Sequence, residues 1–226
     1  MTESHRYSRQ RMAWFVLSAS FFTCLLLTIT IPVAVNAYLQ NASQSLGIAV
    51  QANQGTVGIE EPNGPRRAVL VGEPAQTVSP QTSIRTDTTA SALMSVTSPD
   101  RIEPLVTMQV AGNSTIQIEE AAAPRFRMSD HPNQVNIDLQ VGRIRLDVPP
   151  LDARPLEIEV TTPQDGRVSI AEPGRYMIEV SNDATQVHAF GPGYTSVAAQ
   201  GQSLALGPGQ RAEINLGSRP QGPLDP

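Results

Sequence analysis

Lysine is absent from this chain, and all 16 basic residues are arginine. Cysteine is nearly absent too: Cys24 stands alone. No internal disulfide can form, so packing and hydrogen bonds must hold the fold, as is common in bacterial exported proteins. Aromatic residues make up only 4% of the sequence. That predicts a modest core between thin layers and leaves few of the aromatic platforms that sugar sites use. The formal net charge is −5, with the charges scattered. Beyond a short leader no basic run exists, so a nucleic-acid surface has no electrostatic support and no nucleic-acid partner is expected.

One stretch lacks charge altogether. Residues 12–39 carry no formal charge, and the first 20 of them run uninterrupted to Pro32. That is about the length of helix that crosses a hydrocarbon core. In lipid the backbone can satisfy its N–H and C=O groups only within the segment, so a transmembrane helix is predicted over 12–39. His5, Arg6, Arg9 and Arg11 precede it in a leader over 1–11, and no charged residue follows until Glu60. Positive charge on one flank alone places that flank in the cytoplasm and the rest of the chain outside it. The rival reading is a cleaved secretory signal, since Val35-Asn36-Ala37 supplies small residues at a cleavage position. Against it, a signal's apolar core is about 7–15 residues long and this one is longer. Trp14 and Tyr38 also bracket the span as interfacial aromatics do.

From residue 40 onward the chain is long enough for one ordinary domain. A first strand is expected near Leu46, where Leu46, Ile48 and Val50 alternate, and Asn63-Gly64-Pro65 marks a turn. Short β-branched segments follow at 68–71, 76–78, 83–86, 92–97, 105–110 and 114–119, each bounded by turn residues. Ala121-Ala122-Ala123 could make one helical turn, and 121–133 reads as a surface connector. Further alternating strands are expected around Ile158, Val168, Ile178, Val187, Val197, Leu204 and Ile214. Glu172-Pro173-Gly174-Arg175 carries Pro and Gly where a type II turn needs them. The segment 217–226 is rich in Pro and Gly and is expected to be disordered. The fold class that follows is all-β: an antiparallel sandwich or roll of many short strands after one N-terminal transmembrane helix.

The clearest local pattern is 134–148, QVNIDLQVGRIRLDV. A two-residue turn at Gly142-Arg143 would set Val141 opposite Ile144 and Leu139 opposite Leu146, with Gly142 supplying the positive φ of a type II′ hairpin. The same register puts Asp138 opposite Asp147, an unfavourable like-charge pair.

Reactive groups are few. His131 and His188 have no Cys or carboxylate at ligand spacing, which disfavours zinc. Glu60-Glu61 and Glu119-Glu120 read as solvated strand-end carboxylates, and Glu157 and Glu159 as the wet face of a half-buried strand. No G-x-S-x-G elbow is present. Gly191-Pro192-Gly193 is no phosphate loop, because neither Lys nor a helix pattern follows it. Asn41 and Asn113 match glycosylation acceptors, which matter only in a eukaryotic secretory pathway. No catalytic, cofactor-binding or metal-ligating residue is assigned, and the chain is read as a non-enzyme.

The order of elements over residues 46–216 resembles the FecR domain, the extracytoplasmic β module of membrane-bound regulators linked to iron-siderophore signalling and other surface sensing. The residues that carry the resemblance are Gly55-Thr56-Val57, Val71-Gly72-Glu73, Ser91-Ala92-Leu93, Ile116-Gln117-Ile118, Val141-Gly142-Arg143-Ile144 and Val160-Thr161-Thr162-Pro163. Gly174-Arg175-Tyr176 and Leu206-Gly207-Pro208-Gly209-Gln210 continue it. The resemblance implies an extracytoplasmic FecR-like domain over 40–216 that senses or binds a membrane or envelope protein. An alternative is a structural or carbohydrate-binding envelope module without signalling. The family's regulators also carry a cytoplasmic domain that touches a sigma factor. The leader of 1–11 is too short to fold, so direct sigma-factor contact is not expected. The family's Asp-Gly-Ser step is absent, with Ala111-Gly112-Asn113-Ser114 nearest to it, and no ligand contact is carried over. Ser18, Ser20 and Thr23 offer a small, hydroxylated helix face for association with another span.

Overall fold

An uncharged apolar run has no solvent-facing stripe to give up, and it lies within one continuous helix, α1 (Ser4–Asn41), that begins inside the expected leader. The structure is a computed structural model describing residues 4–224 except 63, 100, 102, 153 and 164, with side chains in α1 described from Trp14 onward. Asn63 of the expected 63–65 turn and the side chains of the leader lie outside the described residues. Within α1 the window Trp14–Asn41 has 28 residues and a mean hydropathy of 2.1, long and apolar enough to cross a membrane. The helix passes through Pro32 and continues past the expected end at 39. Thr23, Thr28 and Thr30 donate their hydroxyl protons to carbonyls one turn back, which hides those polar groups inside the helix's own ladder.

The chain divides into two compact units, Met1–Ala42 with Pro124–His131, and Ser43–Ala123 with Pro132–Pro226. The second unit is all-β. Its strands are β1 (Ser43–Ser45), β2 (Gly47–Gln54), β3 (Thr56–Glu60), β4 (Arg67–Leu70), β5 (Gln76–Val78), β6 (Thr82–Thr86), β7 (Ser91–Thr97), β8 (Pro104–Val110) and β9 (Thr115–Pro124). After them come β10 (Asn133–Val148), β11 (Leu156–Thr162), β12 (Gly166–Ile170), β13 (Gly174–Val180), β14 (Ala184–Ala189), β15 (Thr195–Ala199), β16 (Gln202–Leu206), β17 (Arg211–Asn215) and β18 (Gln221–Leu224). Two sheets result. In sheet A the order is β4-β3-β6-β9-β10-β11-β12-β15-β16. In sheet B it is β5-β2-β7-β8-β10-β13-β14-β17-β18. Among the described pairings all are antiparallel except β10 with β11. Alternation sets the faces: Ile158 and Val160 on β11 and Ile144 and Leu146 on β10 point into one continuous apolar core. Each fully buried branched side chain contributes about 1.5–3 kcal/mol.

β10 belongs to both sheets, and this replaces the expected hairpin. Its first half pairs with β9 and β11 in sheet A, its second with β8 and β13 in sheet B, and the strand does not fold back at Gly142-Arg143. Inward residues run Val135, Ile137, Leu139 and then Ile144, Leu146, Val148, so the alternation changes phase between 139 and 144. A strand that turns a sandwich corner needs such a bulge to keep its apolar side facing the core. Gly142 provides it at φ +103. A Cβ there would sit 2.5 Å from Ser114 Cα. Buried Thr86 completes the corner: its Oγ1 donates to Ala111 O at 2.6 Å and accepts from Ser114 N at 3.0 Å, while Ser114 Oγ accepts from Arg143 N at 3.1 Å.

Three further expectations are corrected. Ala121-Ala122-Ala123 extends β9 and is not helical, because Ala121 and Ala122 pair with Val135 and Gln134 and Ala121 is buried. Gly174 opens β13 opposite Val148 and has no positive φ, so no type II turn forms there. The segment expected to be disordered holds β18, paired to β17 through Arg211 and Glu213, with 225 and 226 outside the described residues.

Candidate functional site

The outward residues of sheet B fall in register across its strands. One row runs Gln51, Leu93, Gln109, Arg145, Met177, His188, Arg211 and Leu224. A neighbouring row sets Arg143 beside Glu179, Gln186 and Glu213. Near the middle of these rows lies a concavity of about 390 Å³ lined by Asn53, Leu93, Gln109, Arg143, Arg145 and Met177. Each lining residue is there because its strand's inward phase is filled by others: Ala92 and Met94 flank Leu93, and Tyr176 and Ile178 flank Met177.

The chemistry of the concavity is mixed. Leu93, 38% exposed, and Met177 give it an apolar floor on positions that alternation reserves for polar side chains. Arg143 reaches Glu179 at 4.0 Å with both side chains about half exposed, a pairing that solvent screens to little. Among the described residues Arg145 has no carboxylate within ion-pair distance. Gln109 and Asn53 add amide donors and acceptors, and Asn53 Nδ2 donates to Ser91 Oγ at 3.4 Å. Guanidinium groups over an apolar floor can bind a carboxylate-bearing, partly apolar segment. Further along the row His188 stacks on Phe190 at 5.7 Å and 5°. Burial, followed by the Arg211 charge, pushes the His188 imidazole below its usual pKa, with Glu179 pulling weakly the other way.

The residues singled out in the sequence do not converge. His131 is exposed in the 124–131 connector, far in sequence from His188 on β14. Glu60 pairs with Arg66 at 3.0 Å and Glu61 with Arg67, beside the end of β3 and the start of β4. Glu119 and Glu120 sit at a register shift, where Glu120 accepts from Asn136 Nδ2 at 3.2 Å. Glu159 pairs with Arg167 at 3.0 Å on the outer side of sheet A, where Glu157 is exposed. Among the described residues no group of His, Cys, Asp and Glu could hold a metal ion. Gly191 and Gly193 allow close packing: a Cβ on Gly193 would meet Tyr176 Oη at 2.2 Å. On α1, Ser20 and Thr23 lie three residues apart and share a face, but Ser18 lies about 160° round the helix from Ser20. The expected three-residue hydroxyl face therefore does not form.

Sequence reasoning missed the concavity. Its available signal was apolar Leu93 and Met177 on outward phases; the neighbours of Arg145 could not be named without the strand order.

No family model matches the chain, and no curated protein matches it. Among solved structures it is similar to two crystal structures from Parabacteroides distasonis ATCC 8503, each named a "putative anti-sigma factor". The first has 15% identity and a TM-score of 0.43 over 61% of this chain and 56% of that one. The second has 14% identity and a TM-score of 0.37 over 50% and 48%. The chain thus spans about half the length of each.

Proposed function

We propose that this chain is a single-pass, membrane-anchored FecR-like module whose β domain lies outside the cytoplasm and binds an acidic segment of another envelope protein on the outer face of sheet B. The observation that carries the reading is the concavity where Arg143 and Arg145 flank Leu93 and Met177. Its role is binding and not catalysis. The arginine-bearing leader before the span, with no charge after it until Glu60, supports a cytoplasmic N-terminus. The apolar window Trp14–Asn41 supports retention as an anchor. FecR-like order in the β segments supports a part in envelope signalling.

The test is site-specific photocrosslinking in intact membranes. A crosslinker at Gln109 should trap one defined partner band, a crosslinker at Glu157 on the outer side of sheet A should trap none, and Arg145→Glu should remove the Gln109 product. Equal yields from both positions would refute the assignment of the face. A yield unmoved by Arg145→Glu would refute the acidic partner.

A further inference from the structure

The connector 124–131, Pro-Arg-Phe-Arg-Met-Ser-Asp-His, belongs to the same compact unit as α1. It is fixed to the helix's C-terminal end by several bonds. Arg125 N donates to Ala42 O at 2.8 Å, Ser129 Oγ to Gln40 O at 2.7 Å, Gln40 Nε2 to Met128 O at 3.1 Å and Asp130 N to Gln40 Oε1 at 3.2 Å. Phe126 lies 5.9 Å from Tyr38, and the Arg125 guanidinium sits 6.0 Å over the Phe126 ring. Arg125, Arg127 and Met128 are exposed, Met128 at 71%.

Read as a span, α1 gives this end a defined depth. The 28 residues of Trp14–Asn41 extend about 42 Å at 1.5 Å each. A bilayer with its headgroup layers measures about 40–45 Å. Tyr38 to Asn41 then fall in the headgroup layer, and the connector bonded to them lies at that level. Alternating Arg-Phe-Arg-Met is suited to this zone: guanidinium groups meet lipid phosphates, while an aromatic ring and a thioether enter the acyl boundary. Asp130 is the opposing charge, at the far end of the connector beside Gln40.

We propose that 124–131 is a membrane-surface anchor that docks on anionic phospholipid headgroups through Arg125 and Arg127, with Phe126 and Met128 seated at the acyl boundary. The proposal rests on the reading of α1 as a membrane span. It adds a second, lipid-selective attachment beside that span.

The full chain in nanodiscs tests both levels separately. The single natural Trp14 reports insertion of the span through quenching by brominated lipid. In a Trp14→Phe/Phe126→Trp double variant the only indole is the one introduced in the connector, and it reports the connector's depth. Brominated phosphatidylglycerol should quench this connector indole at least about twofold more than brominated phosphatidylcholine at equal mole fraction, since each arginine near an anionic surface favours association several-fold. Adding Arg125→Gln/Arg127→Gln should equalise the two lipids while leaving the far-UV β spectrum unchanged. Quenched Trp14 with an unquenched connector indole overturns the anchor and leaves the span standing. Equal quenching by both lipids in the arginine-containing variant overturns the anionic preference. A preference that survives loss of both arginines overturns their role. Unquenched Trp14 overturns the span and the anchor with it.

Discussion

Replacing Gly142 by alanine measures whether β10 truly turns the corner between the sheets. Gly142 sits at φ +103, and an added Cβ would lie 2.2 Å from Ser114 Oγ and 2.5 Å from Ser114 Cα. Rotating the serine cannot relieve a contact with its own backbone. Backbone strain of about 1–3 kcal/mol and forced packing of about 1–3 kcal/mol together give roughly 4 kcal/mol of destabilisation. Gly201 is the matched control, at φ +72 with nothing within 4 Å of the added Cβ. There only strain remains, about 1–2 kcal/mol. For a domain of this size the expected Tm losses are about 8–16 °C for Gly142→Ala and about 2–8 °C for Gly201→Ala. Thermal unfolding of the full chain in detergent, followed at the β minimum of the circular dichroism spectrum, reads both. A type II′ hairpin would also require positive φ at Gly142 but would not press it against Ser114. Equal losses in the two variants would therefore refute the corner.

Tyr176, His188 and β18 each carry further tests in the β unit. Tyr176, fully buried, lies with its Oη 3.0 Å from Glu172 O and 3.3 Å from Tyr194 O, so Tyr176→Phe should cost about 1–2 kcal/mol in urea unfolding. Burial, aided by the Glu172 charge, pushes the Tyr176 phenol from 10.0 up to about 12. Its contribution is complete below pH 10, falls as pH rises through 12, and should appear as a late phenolate step at 295 nm. The lowered pKa of His188 has the opposite sense: its contribution is present above the ordinary value of 6.5 and is lost as pH falls through the folded value, which an NMR titration of the imidazole checks. Truncation after Leu216 removes β18, whose residues are all exposed. It should cost less than about 1 kcal/mol of stability but bare the β17 edge, raising self-association in sedimentation velocity.

Strand positions were legible because alternation is local. Tyr176, Ile178 and Val180 declare an inward face whatever lies beside them, and they lie inward on β13. Strand partners were not legible, because pairing joins segments far apart in the chain. Gly142 shows the limit most clearly: a glycine between two alternating runs fits a tight hairpin and a bulged corner equally well. The like-charge clash of Asp138 with Asp147 was the local sign against the hairpin. In the fold Asp138 faces Gln117 and Thr161, while Asp147 faces Thr107 and Arg175. β18 escaped notice because its place is fixed by backbone pairing alone. The long apolar helix was legible from the absence of charge, whereas the connector beside its end needed the hydrogen bonds of Gln40.

β10 also has a mechanical meaning. Every described pairing that joins β2 through β9 to β11 through β18 passes through this strand, by way of β9 and β11 in one sheet and β8 and β13 in the other. It is the seam of the domain. Gln109 lies on one side of that seam, Met177 on the other and Arg145 on it. A ligand held across those three positions would act as a splint, because separating the halves would require its release. Such a ligand would link occupancy to seam integrity: it would resist the opening of the domain, and tension that parts the halves would expel it.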